Sequence, residues 1–164
     1  MKYKKIFNLN KKVAIVTGAT GMLGKEFCLA LAEYGCKIAV IDLDLKKVTS
    51  FANQLSKKYK VKTVGIKCDV RDHKEVKKMA IEVEKKLGAI DILLNNAASK
   101  TNSLDEYFKP LEKYNIDTWK EVMDVNLDGM YIVAKEIGTR MAKRKQGSII
   151  QTSSIYSSTM ASDQ

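Results

Sequence analysis

VAIVTGATGMLG, residues 13–24, joins a short apolar strand to a turn that carries glycine at every third position. One glycine of such a turn permits the tight bend, another lets the backbone approach a pyrophosphate, and a third lets the next helix pack closely on the strand. Free N–H groups at the start of that helix then point towards the phosphates. The segment predicts a dinucleotide site, and its candidate residues are Gly18, Thr20, Gly21, Met22, Leu23 and Gly24.

Length and charge bound the class of protein. The 164 residues are 45% hydrophobic with one proline, so residues 1–164 are predicted to form a single domain with its own core. The net charge of +10 comes from 26 lysines and only 3 arginines, scattered along the chain. Because nucleic-acid surfaces usually rely on arginine forks and aromatic stacking, we expect no nucleic-acid partner.

The cysteines and the length of the apolar runs indicate where in the cell the protein is located. Cys28, Cys36 and Cys68 are odd in number and lack metal-ligand spacing, so we expect buried small hydrophobes and no metal site. No apolar run reaches the length of a membrane span, and Met1–Lys12 lacks the apolar stretch of a secretion signal. We therefore expect a cytoplasmic protein with no membrane partner.

Strand-like and helix-like segments alternate along the chain, which predicts an α/β fold with a Rossmann-type, doubly wound parallel sheet. Strands are expected at Val13–Val16, Lys37–Ile41, Val61–Cys68, Asp91–Leu94 and Ser148–Thr152. Helices are expected from Leu23 to Gly35, Leu45 to Tyr59, Val76 to Gly88 and, as one long helix, Trp119 to Met141. Ser99–Tyr114 is the one long connection, at the end of the sheet where a substrate binds.

Asp42 stands at the end of the second strand, eighteen residues after Gly24. A carboxylate there accepts both ribose hydroxyls of an adenosine and repels a 2′-phosphate, which favours NAD over NADP. Lys25, which follows Gly24, and Lys46 are expected near this site and soften that preference. A plain helix N-cap is the alternative role for Asp42, although Asp44 is better placed for it.

Five motifs together resemble the short-chain dehydrogenase/reductase family. They occur in the family's order and span nearly the whole chain: Thr17-Gly18 to Gly24, Asp69-Val70, Asn95-Asn96-Ala97, Asp124-Val125-Asn126-Leu127 and Ser153-Ser154. The resemblance implies a doubly wound sheet in which Asp69 holds the adenine amine, with Val70 beside it. It also implies that Asn96 and Ala97 line the cofactor.

The resemblance further implies two catalytic residues. Ser154 matches the serine that orients the substrate oxygen, and Asn126 matches the asparagine that holds a water for the proton relay. An ordinary polar strand end is the alternative for Ser154, and a buried side chain bonded to backbone is the alternative for Asn126. The family's general acid/base is a tyrosine whose pKa is lowered by a lysine four residues later.

That Tyr-x-x-x-Lys pair follows the serine by at least about a dozen residues in the family, whereas Gln164 stands ten residues after Ser154. Tyr131 and Lys135 have the same spacing, but they precede the serine, and we expect Tyr131 to pack along its helix. Tyr156 has Met160 four residues on. The resemblance therefore predicts an incomplete domain, with five strands present and the catalytic helix and later strands absent, that is inactive alone.

The predicted function is NAD-dependent hydride transfer between a secondary alcohol, such as a sugar derivative, and nicotinamide. Glycine at every third position and Ser153–Tyr156 favour an extended-type sugar-nucleotide epimerase or dehydratase as an alternative, whereas Asn95–Ala97 and Asp124–Asn126 favour the compact branch. Met22 and Ala98 stand where compact members usually carry glycine. A non-catalytic NAD-binding module is a second alternative. Family members commonly form dimers or tetramers, so a homo-oligomer is an open alternative to a monomer.

Overall fold

A five-stranded parallel sheet forms the centre of the structure, a computed structural model that describes residues 7–101 and 103–154. The strands are β1 (Val13–Thr17), β2 (Lys37–Asp42), β3 (Thr63–Lys67), β4 (Ile92–Asn95) and β5 (Ser148–Gln151). Their order in the sheet is β3-β2-β1-β4-β5, with every neighbouring pair parallel. The predicted five-stranded Rossmann-type sheet is confirmed.

Helices cover both faces of this sheet. They are α1 (Met22–Glu33), α2 (Leu45–Tyr59), α3 (His73–Leu87), α4 (Leu104–Tyr107), α5 (Ile116–Met123) and α6 (Met130–Arg144). A 3₁₀ turn at Leu111–Lys113 precedes α5, and a π-helical segment at Asp124–Gly129 joins α5 to α6. Each long connection between parallel strands is therefore a helical crossover, as parallel pairing requires.

Strand β1 shows why the core has two halves. All five of its residues are buried, and successive side chains point to opposite faces of the sheet. Val13 and Ile15 pack in the cluster that contains residues of α3 and α6. Ala14 and Val16 pack in the cluster that contains residues of α1 and α2. A continuous apolar run is thus what a strand covered on both faces needs.

The strand order reverses between β1 and β4. From β1 the chain proceeds outward to β2 and β3, and it then returns to place β4 on the other side of β1. Loops that leave β1 and β4 at their carboxyl ends therefore diverge, and a crevice opens between them. In open α/β sheets this is where ligands bind.

Helix boundaries follow capping chemistry. Asp44 caps α2 by accepting a hydrogen bond from the Lys47 N–H at 3.0 Å, as predicted. Asp72 caps α3 in the same way, accepting from Lys74 and Glu75. Gly88 ends α3 with a φ of 108°, which favours glycine. The helix predicted near Val76 accordingly starts three residues earlier, at His73.

Two predictions about elements were wrong in detail. The predicted single long helix from Trp119 to Met141 is interrupted by the π-helical segment. The sequence does not reveal this interruption, because one extra residue per turn leaves the apolar period of each flank intact. The connection Ser99–Tyr114 contains a helix at Leu104–Tyr107, which Ser103 caps by accepting from the Glu106 N–H. Such short elements lack the apolar period that would reveal them.

Strand β5 forms an edge of the described sheet. It pairs with β4 alone, and all four of its residues are exposed, including Ile149 and Ile150. No helix within residues 7–101 and 103–154 has the length and apolar character needed to cross a membrane.

Replacing Gly24 by alanine should separate α1 from the turn after β1. The added β-carbon would lie inside the contact distance of the Gly18 carbonyl oxygen and 2.7 Å from the Ala19 Cα, both of them backbone atoms that cannot rotate away. We expect Gly24→Ala to lower the free energy of unfolding by about 2 kcal/mol and the midpoint of thermal unfolding by about 5 °C.

Circular dichroism during heating measures this effect, and Gly138→Ala is the control. The β-carbon added at Gly138, within α6, would meet only the flexible end of Ile149 at 3.2 Å, so its unfolding free energy should stay within about 1 kcal/mol of the wild type. A Gly24→Ala protein whose midpoint of thermal unfolding equals that of the wild type would contradict the packing role of this glycine.

Candidate functional site

A cavity of about 380 Å³ lies at the carboxyl ends of β1, β2, β3 and β4. Five of the predicted site residues line it, namely Gly18, Asp42, Asp69, Val70 and Ala97. Sequence analysis did not assign the remaining lining residues to a site: Ile41, Leu43, Cys68, Arg71, Ala98, Ser99, Glu121 and Val125. The cavity thus has apolar walls with a few charged groups, which is typical of small-molecule sites.

The glycine turn forms one side of this cavity. Gly18 has a φ of 60°, and a β-carbon on it would lie 3.0 Å from the Ala97 Cα, so the turn touches the loop after β4. Thr20, Gly21, Met22, Leu23 and Gly24 follow on the same turn and in the first residues of α1, outside the cavity lining. The N–H groups at this helix end have no partner within the helix and are available to a ligand.

Asp42 is oriented by the glycine turn. Its Oδ2 accepts hydrogen bonds from the Thr20 N–H at 2.9 Å and from the Thr20 hydroxyl at 2.6 Å. Its Oδ1 accepts from the Leu43 N–H at 2.8 Å. A carboxylate has about four acceptor positions, so roughly one remains on Oδ1 for a ligand. The structure therefore holds the carboxylate still and leaves part of it available.

Asp69 is held by Arg71. The Arg71 side chain donates to both carboxylate oxygens of Asp69, at 2.7 to 3.1 Å, and its N–H donates to Oδ1 at 3.0 Å. The Arg71 guanidinium keeps the pKa of the Asp69 carboxyl below its usual value, because hydrogen bonds to the charged form stabilise it. The Asp69 N–H in turn donates to Glu75 of α3 at 2.8 Å, which fixes the loop on that helix.

Thr17 joins the ends of β1 and β4. Its buried hydroxyl accepts from the Asn96 N–H at 2.9 Å and from the Ala97 N–H at 3.0 Å, and it lies 3.3 Å from the Asn95 Oδ1. The Asn96 amide donates to the Thr17 carbonyl at 3.1 Å, so its side chain secures the strand end while Ala97 lines the cavity. Sequence analysis assigned no such role to Thr17.

Asn126 lies in the π-helical segment and binds backbone. Its Oδ1 accepts from the Ser99 N–H at 2.7 Å, and its Nδ2 donates to the Ser99 carbonyl at 3.0 Å. This two-point pairing fixes the start of the connection after β4. Gly129 allows the segment to approach the cavity, because a β-carbon there would lie 2.8 Å from the Val70 Cγ2. Short π-helical turns frequently occur at functional sites.

Ser154 stands three residues after the end of β5 and is exposed. The strand path towards it is held by Thr152, whose N–H donates to the Asn95 carbonyl at 3.1 Å and whose hydroxyl lies 3.4 Å from the Asn96 Oδ1. Tyr131 is 62% exposed on α6, with the Lys135 ammonium 5.7 Å from its ring centroid, and neither residue lines the cavity. Tyr156 lies outside the described residues.

The remaining chemistry of the site is limited. Cys28, Cys36 and Cys68 are free and buried, as predicted, and burial raises the pKa of each thiol to about 12. Such thiols are poor nucleophiles at neutral pH. Within the described residues, no three histidine, cysteine or acidic side chains form a group that could hold a metal ion. The cavity therefore offers carboxylate acceptors, the Arg71 guanidinium and apolar surface.

Known proteins share this fold. The solved structure of an NAD⁺-bound xylitol dehydrogenase superposes with a TM-score of 0.86 at 29% identity, covering 93% of this chain and 56% of that one. A sorbose reductase of Candida albicans is 36% identical over 150 residues, which are 92% of this chain and 52% of that protein. An NADP-dependent mannitol dehydrogenase of Alternaria alternata is 32% identical over 157 residues, which are 93% of this chain and 56% of that protein.

The chain thus spans about half the length of the curated relatives that it matches. A family model described as short chain dehydrogenase matches residues 12–163, which is nearly the entire sequence. The resemblance inferred from the five motifs is confirmed by this match. The chain belongs to the short chain dehydrogenase family.

Proposed function

We propose that this chain forms the cofactor-binding part of an NAD-dependent oxidoreductase that acts on a secondary alcohol of a polyol or sugar derivative. The observation that carries the proposal is the position of Asp42, at the carboxyl end of β2, in the cavity and bonded to the glycine turn. A carboxylate placed there accepts a ribose hydroxyl and disfavours a 2′-phosphate. The sugar and polyol relatives support the substrate class.

The residues of the cavity fit the adenosine end of a dinucleotide. Val70 and Ala97 supply apolar walls for a base, and the carboxylates of Asp42 and Asp69 supply acceptors for a ribose hydroxyl and the adenine amine. Asn96 fixes the loop after β4, on which Ala97 lies. Gly18 fits as well, because without a β-carbon the glycine turn can lie directly against that loop.

The glycine turn would hold the pyrophosphate. In this proposal the N–H groups of Met22, Leu23 and Gly24 at the start of α1 face the phosphates, and Gly21 and Thr20 place the turn beside them. The exposure of Met22 does not obstruct this role, since only its backbone is needed. When bound, the nicotinamide supplies the acceptor or donor of the hydride, and the chain supplies its position.

Ser154 and Asn126 are proposed to serve the substrate end. Ser154 would donate its hydroxyl hydrogen to the substrate oxygen, and Asn126, whose side chain also pairs with the Ser99 backbone, would hold a water for the proton relay. The proton exchange itself is proposed for the tyrosine and lysine that family members carry after the serine. The activity proposed here is that of the whole protein.

Lysines near the glycine turn oppose the effect of Asp42 on cofactor preference. A second groove, of about 350 Å³, is lined by Thr20 together with Lys25, Lys46 and Lys47. These ammonium groups attract phosphate, and the relatives include NAD-bound and NADP-dependent proteins. We expect the effect of Asp42 to outweigh that of the lysines, because its carboxylate is held inside the cavity.

The buried free thiols support a reducing, cytosolic location.

Replacing Asp42 by asparagine should remove the preference for NAD. Isothermal calorimetry should show that the wild type binds NAD more tightly than NADP, and Asp42→Asn should change the ratio of the two dissociation constants by about tenfold towards NADP. One hydrogen bond to a charged group and the loss of repulsion justify about that size.

Asp44→Asn is the matched control, since it removes the same charge two residues away while asparagine still caps α2. Its ratio should stay within about twofold of the wild type. Tighter binding of NADP by the wild type, or an equal shift in both variants, would refute the role given to Asp42.

The reaction class is tested by spectrophotometry of the full-length protein with a panel of sugar alcohols and NAD. An oxidoreductase accumulates NADH during turnover, whereas an epimerase returns its NAD oxidised, and a binding module shows no turnover. Ser154→Ala should lower kcat by about 100-fold, because it removes a donor to the reacting oxygen. Ser153→Ala, the neighbouring exposed serine, should leave kcat within about twofold, and equal losses would show that Ser154 has no special role.

A further inference from the structure

The Asp69–Arg71 pair is more complete than an ordinary surface ion pair. Oδ1 of Asp69 accepts from the Arg71 N–H and from Nε, both at 3.0 Å. Oδ2 accepts from Nε at 3.1 Å and from Nη2 at 2.7 Å. Three N–H groups of Arg71 make these four contacts, because the single Nε hydrogen is shared by both oxygens, and they occupy most of the roughly four acceptor positions of the carboxylate. A ligand donor at Asp69 therefore shares the carboxylate with Arg71 or displaces it.

Both members of the pair are accessible from the cavity. Asp69 and Arg71 line it together, and their side chains are 27% and 46% exposed. Arg71 also has other carboxylates nearby, since Asp124 and Glu121 add to the rise of its pKa that the hydrogen bonds to Asp69 chiefly cause. Glu121 lines the same cavity. A guanidinium that moves away from Asp69 therefore still has carboxylate partners beside the cavity.

Purines differ at the edge that such a pair contacts. Adenine carries an amino donor at C6, whereas a 6-oxopurine carries a carbonyl acceptor there. Their N1 positions are reversed as well, being an acceptor in adenine and an N–H donor in hypoxanthine. At the C6 position, where Asp69 is proposed to lie, a carboxylate alone accepts from the adenine amine and repels the carbonyl of a 6-oxopurine. A carboxylate beside a guanidinium offers an acceptor and a donor, and so matches either base.

We propose that Arg71 sets the base selectivity of this cavity, by sharing the Asp69 carboxylate so that 6-oxopurine dinucleotides bind alongside adenine dinucleotides. This inference rests on the proposed function, in which Asp69 faces the purine. With Arg71 in place, an adenine amine competes with a guanidinium for Asp69, and a C6 carbonyl finds a donor. Arg71 therefore reduces discrimination between the bases, and its removal increases it.

The test compares NAD with nicotinamide hypoxanthine dinucleotide by calorimetry. The two ligands share the nicotinamide, both riboses and the pyrophosphate, so the ratio of their dissociation constants reports the base alone. The wild type should bind both within about threefold. Arg71→Met keeps an unbranched side chain without donors, and it should raise the ratio to about tenfold or more in favour of NAD, the size of one hydrogen bond to a charged group.

Two further variants make the result specific. Lys74→Met removes a positive charge from the first turn of α3, outside the cavity lining, and should leave the ratio unchanged even if both affinities fall. Asp69→Asn keeps Arg71 and removes the carboxylate, so it should shift the ratio towards the hypoxanthine dinucleotide. This variant tests the same pair in the opposite direction and does not depend on the folding of Arg71→Met.

The outcomes separate this inference from the proposed function. If the wild type binds neither dinucleotide, the proposed function is wrong and the inference fails with it. If the wild type binds NAD and Arg71→Met leaves the ratio unchanged, only the role of Arg71 is wrong. A wild type that already prefers NAD by more than about thirtyfold would also contradict the inference, because Arg71 would then fail to accommodate the C6 carbonyl.

Discussion

The buried hydroxyl of Thr17 is the constraint on which the cavity depends. It lies where β1 ends and accepts N–H groups from Asn96 and Ala97, which follow β4. Two neighbouring parallel strands with diverging loops would otherwise leave polar backbone groups unpaired inside the sheet, at a cost of about 1–3 kcal/mol each. By pairing them, one side chain ties the end of β1 to the loop after β4. Gly18 then places the turn against Ala97, and the remaining walls follow from the sheet order.

The carboxylates of the cavity depend on this frame. Asp42 is oriented by Thr20, which the turn carries, and Asp69 is oriented by Arg71 and by the bond from its own N–H to Glu75 of α3. Neither aspartate relies on a ligand to hold its position. Preorganised groups lose little side-chain entropy when a ligand binds, so this arrangement favours selective recognition at modest cost.

Much of the fold could be predicted from the sequence because its signals are local. The apolar run of β1, the cap at Asp44 and the glycine that ends α3 each lie within a few residues of the feature they cause. The π-helical segment could not be predicted, since its one extra residue per turn leaves the apolar period of both flanks intact. Periodicity therefore indicated one helix from Trp119 to Met141 where the structure has three segments.

The same distinction applies to the site. Asp42 was predicted at the site because it ends a strand, and parallel strands bring their carboxyl ends to one edge of the sheet, whereas Asp69 was predicted from the resemblance of its motif to the family; both line the cavity. The bonds of Thr17 to Asn96 and of Asn126 to Ser99 join residues 79 and 27 positions apart, beyond the reach of any local pattern. Arg71 was missed for another reason. Arg71 lies two residues after Asp69, a spacing at which its side chain can fold back onto the aspartate. The spacing and the opposite charges do not by themselves show that this contact forms.

A cavity whose carboxylates are already bonded changes how affinity arises. A ligand hydroxyl or amine that reaches Asp69 exchanges one donor for another, so the net gain per hydrogen bond is small even though the bond itself is strong. In the proposed complex most of the binding free energy would then come from apolar contact with Val70, Ala97 and their neighbours, and from the start of α1, where the phosphates are proposed to bind. In the proposed complex Asp42, whose carboxylate keeps about one acceptor position, would penalise a ligand that presents a phosphate there. Exclusion at Asp42, tolerance at the Asp69–Arg71 pair, and affinity from the cavity walls and α1 is the division of roles that this proposal requires.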